Sequence, residues 1–173
     1  TVNDVEEPVI SCPQTNITVD NDAGECGAEV FYNVSISDNC PGVLLTQDIG
    51  GGPFFEVGTT EVCWTATDAT GNDASCCFNI TVNDTENPTA VCQMTTLILD
   101  GAGIGSITPA DVDGGSGDNC PDFTLDVDPA DFSCADVGPQ TTVLTITDAS
   151  GNTDDCVADV DVIASLACTP PDI

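Results

Sequence analysis

The sequence predicts an all-β protein with two tandem immunoglobulin-like antiparallel β-sandwich domains. Three observations predict it: an internal repeat of 80 residues, short runs of alternating apolar and polar residues, and eleven cysteines among 173 residues. Alternation with a period of two is typical of strands that bury one face, and Gly, Asn, Asp and Pro between the runs indicate turns. The length suits two domains of about 80 residues each.

The repeat appears as three pairs of similar segments, and every segment contains a cysteine. The pairs are TVNDVEEPVISC (1–12) with TVNDTENPTAVC (81–92), SDNCP (37–41) with GDNCP (117–121), and TATDATGNDASC (65–76) with TITDASGNTDDC (145–156). They predict a first domain over 1–82 and a second over 83–165. Residues 166–173 are expected to be the start of a following repeat or a C-terminal tail.

The alternating runs locate strands within each repeat. They are Val30, Tyr32, Val34 and Ile36 in the first repeat, and Phe123, Leu125 and Val127 in the second. Several short strands of this kind, separated by turn residues, favour an antiparallel sandwich.

A hairpin with its turn centred on Thr70 places Cys63 directly opposite Cys77. The Cβ atoms of opposed residues in such a pair lie close enough for a disulfide, so we expect this bridge. In the second repeat the opposed positions hold Val143 and Val157.

The other face of this hairpin is apolar enough to face the core, and it carries Trp64 and Cys76. An inward-pointing Cys76 predicts a bridge to Cys12, near the start of the first strand. The same argument pairs Cys156 with Cys92 in the second repeat. Trp64 is expected in the core and not in a sugar-binding surface.

Pairing the remaining cysteines within each repeat gives two further bridges. Cys26 is expected to pair with Cys40, and Cys120 with Cys134, which leaves Cys168 over. Such a framework is typical of proteins outside the cytoplasm, and the bridges are predicted to be structural because no histidine could activate a catalytic thiol.

The composition excludes several function classes. The chain has no Lys, Arg or His against 30 Asp and Glu, which gives a formal net charge of −30. Binding to nucleic acid or to anionic membranes is excluded because phosphate recognition needs basic side chains, and bound cations are expected to relieve the self-repulsion. No apolar run is long enough for membrane insertion. Because the sequence begins with Thr1 and not Met, we expect a mature or excised piece.

The motifs PVISCPQTNITV, SDNCPG, FEVGTTEV and TATDATGNDASC resemble the hyalin repeat (HYR) domain. The second repeat is similar to a variant found in very long secreted bacterial adhesins. The resemblance implies an immunoglobulin-like fold in extracellular strings of domains, with roles in adhesion or matrix formation at the cell surface or in a secreted fibre of bacterial origin. It also implies the pairs Cys12 with Cys76 and Cys26 with Cys40.

Acidic linkers at 2–8 and 82–88 suggest calcium sites, since calcium takes six to eight oxygen ligands from carboxylates, amides and carbonyls. The loops of each repeat that contain Asp and Asn are expected at the pole where its linker enters. The predicted ligands are Asp4, Glu6, Asp38 and Asp68 at the amino end, and Asp84, Glu86, Asp118 and Asp148 between the domains. The alternative is that these residues form turns that face water.

The sequence leaves three hypotheses for the function. A structural or adhesive repeat of an extracellular filament, with neighbouring repeats or identical protomers as partners, explains the period, the cysteines and the acidity together. A carbohydrate-binding module that takes a surface polysaccharide or other glycan is the alternative, although aromatic residues form only 5% of the chain. A hydrolase is disfavoured because no carboxylate pair stands out and no nucleophile motif is present, so no enzyme is predicted.

Overall fold

The computed structural model describes residues 4–168, with the backbone alone for Ile49. The chain divides into two compact units, residues 1–85 and 86–173. The described part of each is built mainly of β-strands, which confirms the predicted all-β fold. Residues 169–173 of the expected tail lie outside the described residues.

The first unit has eight strands in three sheets. They are β1 (Val9–Ser11), β2 (Ile17–Asp20), β3 (Gly27–Glu29), β4 (Ser35–Ser37), β5 (Leu44–Ile49), β6 (Phe54–Glu56), β7 (Gly58–Thr67) and β8 (Asp73–Asn83). The main sheet has the order β2-β8-β7-β5, and β1 pairs with β4 and β3 with β6. All pairs are antiparallel except β2 with β8.

The core of the first unit lies between the main sheet and the smaller sheets. Its buried members are Ala28, Val30, Phe55, Val62, Phe78, Ile80 and Val82. Val62 and Ile80 are fully buried, and each such side chain contributes about 1.5–3 kcal/mol relative to an exposed one. The Tyr32 ring packs edge-on against Phe78, with ring centroids 4.9 Å apart. Trp64 is half-buried against this cluster, so it supports the core and not a flat sugar-binding surface.

The predicted strand from Val30 to Ile36 is only partly regular. The ladder with β1 includes Ser35–Ser37, while residues 30–34 belong to no strand, although the Val30 amide donates to the Pro53 carbonyl at 2.7 Å. Side chains nevertheless alternate, with Val30 buried and Phe31 exposed. The period-two pattern therefore predicted burial correctly but not backbone pairing.

The second unit repeats the main sheet with the order β11-β13-β14-β9. Its elements are β9 (Thr95–Ile98), β10 (Ile104–Ser106), α1 (Pro109–Val112), β11 (Phe123–Asp128), β12 (Asp131–Ser133), a 3-10 turn (Cys134–Asp136), β13 (Gly138–Asp148), β14 (Thr153–Ile163) and a second 3-10 turn (Leu166–Cys168). β10 pairs with β12, and β9 runs parallel to β14. The core includes Leu99, Ile107, Val112, Val127, Phe132, Leu144, Ala158, Val160 and Val162.

Three disulfides join the positions that the hairpin argument put together. Cys12 is bonded to Cys76 and Cys92 to Cys156, each across 64 residues of sequence. Cys63 is bonded to Cys77, with the Cα atoms 4.2 Å apart, and the register places these two residues directly opposite each other.

The predicted bridge between Cys26 and Cys40 is wrong, because Cys40 has a free, exposed thiol. The Cys26 carbonyl accepts a hydrogen bond from the Val57 amide at 3.2 Å, next to the start of β7. Cys40 lies at the other end of the sheet, beside Asp38. The 11-residue strand β8 separates these ends, which corresponds to about 33 Å, so no bridge can form within the unit.

The predicted bridge between Cys120 and Cys134 is also wrong, because Cys134 is bonded to Cys168. Cys134 lies just before β13 begins at Gly138, and Cys168 follows β14 at the same end of the sheet. Cys120 precedes β11, whose first residue is paired with the last residue of β13 at the opposite end. Cys168 is therefore not left over.

Candidate functional site

The candidate site lies at one end of the first unit and is called here the acidic pole. Three segments form it: the leading segment 4–8, the loop 38–43 after β4, and the turn 68–72 between β7 and β8. Its polar residues are Asp4, Glu6, Asp38, Asn39, Cys40, Asp68, Thr70 and Asn72.

Asp68 anchors the β7–β8 turn. Its Oδ1 accepts backbone N–H bonds from Thr70, Gly71 and Asn72 at 2.6–2.9 Å, and its Oδ2 accepts from Thr70 Oγ1 and Asn72 Nδ2. Loss of solvation would raise the pKa of this carboxyl, but the hydrogen bonds from Asn72 and Thr70 outweigh it and lower the pKa to about 2. These five contacts use most of the lone-pair capacity of a carboxylate.

Asn72 ties the leading segment to this turn. Its Nδ2 donates to the Glu6 carbonyl at 3.2 Å as well as to the Asp68 carboxylate at 2.8 Å. Pro8, which follows in the leading segment, is buried. Asn39 Nδ2 donates to Glu6 Oε2 at 2.6 Å. The amides of Asn39 and Asn72 thus position the acidic segment, a role that the sequence analysis did not assign to them.

Asp4, Asp38 and Cys40 converge at the acidic pole. One side-chain oxygen of each aspartate and the Cys40 sulfur lie within 4.8 Å of one another. Asp4 Oδ1 accepts from the Glu6 amide at 3.2 Å, and Asp38 Oδ2 from the Cys40 amide at 3.0 Å. Asp4 Oδ2 and Asp38 Oδ1 are buried atoms with no hydrogen-bond partner among the described residues.

This arrangement of carboxylates is unfavourable unless a cation binds to it. Two carboxylates in close contact repel each other, and a buried oxygen without a partner loses its solvation. The chain cannot supply the counter-charge because it has no Lys, Arg or His. The geometry therefore has the character of a cation site with oxygen ligands.

The thiol of Cys40 does not add a negative charge to the acidic pole. Its interaction with the Asp4 carboxylate, loss of solvation, and the charges of Asp4, Asp38 and Asp68 all raise the pKa of Cys40. The thiol therefore stays protonated and neutral at neutral pH.

The second unit repeats the turn chemistry. Asp148 Oδ1 accepts from the amides of Ser150 and Asn152 at 2.9 and 2.7 Å, and its Oδ2 accepts from Asn152 Nδ2 at 2.8 Å. Loss of solvation opposes these bonds, yet the hydrogen bonds from Asn152 prevail and lower the pKa of Asp148. Asp148, like Asp68, holds a turn.

Asp118 resembles Asp38 in its contacts. Its Oδ2 accepts from the Cys120 amide at 3.0 Å, and its Oδ1 is buried without a hydrogen-bond partner in the described part of the chain. Asp84 is buried in the first unit, and Glu86 is half-buried in the second. The metal site assigned to these residues and Asp148 stays a prediction.

The first unit resembles an established domain family: residues 3–82 match the HYR domain. The chain therefore contains an HYR-like domain. The identity of the second unit as an HYR repeat stays a prediction.

Similar proteins come from animals. Hyalin from Lytechinus variegatus is 42% identical over 93 residues, which cover 51% of this chain and 18% of hyalin. The sushi, von Willebrand factor type A, EGF and pentraxin domain-containing protein 1 of Rattus norvegicus is 35% identical over 89 residues, 49% of this chain and 2% of that protein. The chain thus spans less than a fifth of these relatives, and they do not support the predicted bacterial origin.

Solved structures to which the chain is similar include cadherin ectodomains. Human mucin-like protocadherin EC1-2 has 12% identity and a TM-score of 0.46, and the match covers 90% of this chain and 98% of that one. Drosophila N-cadherin EC1-4 has 12% identity and a TM-score of 0.42, with 91% of this chain and 50% of that one covered. Within residues 4–168 no helix is long and apolar enough to cross a membrane.

Proposed function

We propose that this chain is a structural or adhesive segment of an extracellular filament or cell-surface adhesin and has no enzymatic role. The observation that carries the proposal is one disulfide in each unit, which joins a cysteine in the first part of the unit to a cysteine near the start of its last long strand, β8 or β14. Cys12–Cys76 and Cys92–Cys156 each close 64 residues of chain. Tension along the chain therefore cannot extend the closed residues.

Localisation tests this proposal directly. Antibodies against the first unit, applied to intact cells that produce the protein, should label extracellular fibres or the cell surface in immunogold electron microscopy. Antibodies absorbed with the purified chain serve as the control. Labelling confined to the cell interior, or to freely diffusing protein with no association to fibres or surfaces, would contradict the proposal.

We further propose that the acidic pole binds calcium. Asp4 and Asp38 each have a buried oxygen with no hydrogen-bond partner among the described residues, and one carboxylate oxygen of Asp4 lies within 4.8 Å of one of Asp38. Two oxygens bound to one calcium at 2.3–2.6 Å can be at most about 5.2 Å apart, so the spacing fits. Glu6 Oε2 is held beside the loop 38–43 by the Asn39 Nδ2 donor at 2.6 Å, and we include it as a third carboxylate of the site.

The one remaining residue of the first set, Asp68, has a different role in this proposal. Asp68 shapes the turn with its five hydrogen bonds and contributes its charge to the pole. By sequence correspondence, Asp84, Glu86 and Asp118 match Asp4, Glu6 and Asp38, and Asp148 matches Asp68. We extend the calcium proposal to them on that basis.

Calcium would supply the positive charge that the chain lacks, and the leading segment would be fixed to the loop 38–43 when it is bound. The test is the thermal midpoint at constant ionic strength, with calcium and then with excess chelator. Calcium should raise the midpoint of the wild type. Asp38→Asn should lose most of this increase, whereas Asp20→Asn, which removes one exposed carboxylate from β2, should keep it. If calcium raises the thermal midpoint equally in the two variants, calcium acts by general charge screening, which would contradict a specific calcium site at the acidic pole.

The carbohydrate-binding alternative depends on exposed aromatic rings. Phe31 is 81% exposed, but Trp64 packs against the core. The structural role therefore has the stronger support in the described residues.

A further inference from the structure

We propose that Cys40 is a linking thiol, which forms a disulfide with a cysteine of another domain placed against the acidic pole. The partner is a domain of an oxidised extracellular protein that carries a cysteine at its contact surface. The inference deepens the proposed extracellular role, since it needs an oxidising compartment, but it does not depend on calcium binding.

The first support is the contrast between Cys40 and the other cysteines. Ten cysteines of the chain are disulfide-bonded, and Cys40 alone among the described cysteines has a free thiol. Oxidised extracellular proteins usually have their cysteines paired, and one left over suggests intermolecular pairing. The thiol of Cys40 is on the exterior and is accessible to a partner.

The second support comes from the internal repeat. Cys120 occupies the same place in GDNCP as Cys40 in SDNCP, and the backbone N–H of each donates to the preceding aspartate at 3.0 Å. Cys120 is disulfide-bonded and only 6% exposed. The motif therefore presents a cysteine in a position that takes a disulfide partner, and Cys40 has the same local geometry without one.

The third support is that Cys40 has no partner within its own unit. Cys12, Cys63, Cys76 and Cys77 are bonded to one another in pairs. Cys26 is disulfide-bonded and lies at the opposite end of the main sheet. A partner for Cys40 must therefore come from outside the first unit.

The link forms by thiol–disulfide exchange. Cys40 first carries a mixed disulfide with a small thiol of the glutathione class. The thiolate of the incoming cysteine attacks the Cys40 sulfur, and the new S–S bond forms as the old one breaks. The small thiol leaves with the electron pair and takes up a proton, so no further oxidant is needed.

Disulfide mapping of the secreted protein tests the proposal. Free thiols are first alkylated with iodoacetamide, and the protein is then cut without reduction by a protease that cleaves before aspartate. This choice is necessary because the chain has no Lys or Arg. Residues 38–47 then form a peptide with Cys40 as its single cysteine, residues 118–121 one with Cys120, and residues 22–37 one with Cys26.

The expected result is peptide 38–47 joined by a disulfide to a peptide of another domain, with the alkylated form at least about tenfold less abundant. Non-reducing electrophoresis distinguishes the sources: a single-chain mass means a partner within the same polypeptide, and a multiple of it means a second chain. The proposal is overturned if Cys40 is alkylated, is capped by a small thiol, or is joined to peptide 22–37 in a species of single-chain mass.

Substitutions provide the matched control. Cys40→Ser should abolish the link while the peptide with Cys120 stays in its disulfide. Adding Ser150→Cys to this variant creates an exposed thiol on the β13–β14 turn and should not restore the link. Restoration would show that any exposed thiol suffices, which would contradict a specific role for Cys40. Loss of fibre labelling with an intact Cys40 link would instead count against the proposed function alone.

Discussion

The two units have the same strand order in the main sheet but differ at one cross-strand position of their central hairpin. In the first unit Cys63 and Cys77 are joined by a disulfide, while in the second Val143 faces Val157. Both valines are on the outer face of the sheet, where Val157 is 62% exposed. The same register thus accommodates a covalent or an apolar pair, and this bridge is an addition to the fold and not a requirement for it.

The units also differ at their ends. The second unit has the bridge Cys134–Cys168 after its last strand, and no equivalent cysteine pair exists in the first. Conversely the first unit has the exposed thiol of Cys40 where the second has the buried, bonded Cys120. The bridge that both units share, from the first strand region to β8 or β14, is therefore the common structural element.

Removing this shared bridge should have the largest effect. Cys92→Ala with Cys156→Ala opens a loop of 64 residues, for which loop-closure entropy predicts a loss of about 4 kcal/mol. The measurement is chemical denaturation of the variant against the wild type. Cys12→Ala with Cys76→Ala should cost a similar amount because the separation is the same, and a loss below about 1 kcal/mol in both would contradict the account.

Exchanging the hairpin pairs should have a smaller effect. Cys63→Val with Cys77→Val gives the first unit the same apolar pair that the second unit has. This double substitution should lower the stability of the first unit by up to about 3 kcal/mol, which is less than for the shared bridge because the closed loop is short. Val143→Cys with Val157→Cys should form a new bridge and raise the stability of the second unit by a similar amount. Mass spectrometry would show the bridge and denaturation its effect. If the new cysteines form no disulfide, the strand registers of the two hairpins are not equivalent.

The turn aspartates should make stability depend on pH. The pKa of Asp68 is about 2 in the folded protein, below the ordinary value of about 3.9. Its stabilising contribution is therefore fully present above pH about 4 to 5 and is lost as the pH falls through the folded-state value.

Asp68→Asn should accordingly reduce the slope of stability against pH between about pH 4 and pH 2, relative to the wild type. The comparison with wild type is essential because protonation of the other carboxylates also relieves repulsion in this range. NMR titration of the Asp68 carboxyl gives the pKa directly. An ordinary pKa there would refute the anchoring role, and Asp20→Asn serves as the control for a single lost charge.

The smallest effect is expected at the exposed aromatic Phe31. Phe31→Ser should change the free energy of unfolding by less than about 0.5 kcal/mol, since surface substitutions away from special features have little effect. Binding to a glycan array should also be unchanged. A loss of glycan binding in this variant would favour the carbohydrate-binding alternative.

The hairpins could be predicted from the sequence because their turn motifs fix the register. The TDATGN turn determined that Cys63 faces Cys77, and the inward face of the same strand directed Cys76 to Cys12. Such local geometry follows from a period of two and a known turn centre.

The pairs Cys26–Cys40 and Cys120–Cys134 could not be predicted correctly because they were assigned by elimination. Sequence spacing does not show that a strand of 11 residues separates two loops, and it does not show which end of the sheet a cysteine occupies. Likewise the composition could not distinguish Asp68, saturated by hydrogen bonds, from Asp38, which has a buried oxygen without a hydrogen-bond partner in the described part of the chain. Both are aspartates in turn-forming sequences.

Single-molecule pulling on the chain from its two ends tests the central claim most directly. Each shared bridge closes 64 residues, which correspond to about 220 Å of extended chain. Unfolding a unit in the presence of reductant should therefore release about 220 Å more contour length than unfolding it oxidised. Equal contour lengths under the two conditions would show that these bridges do not bear the load and would contradict the account.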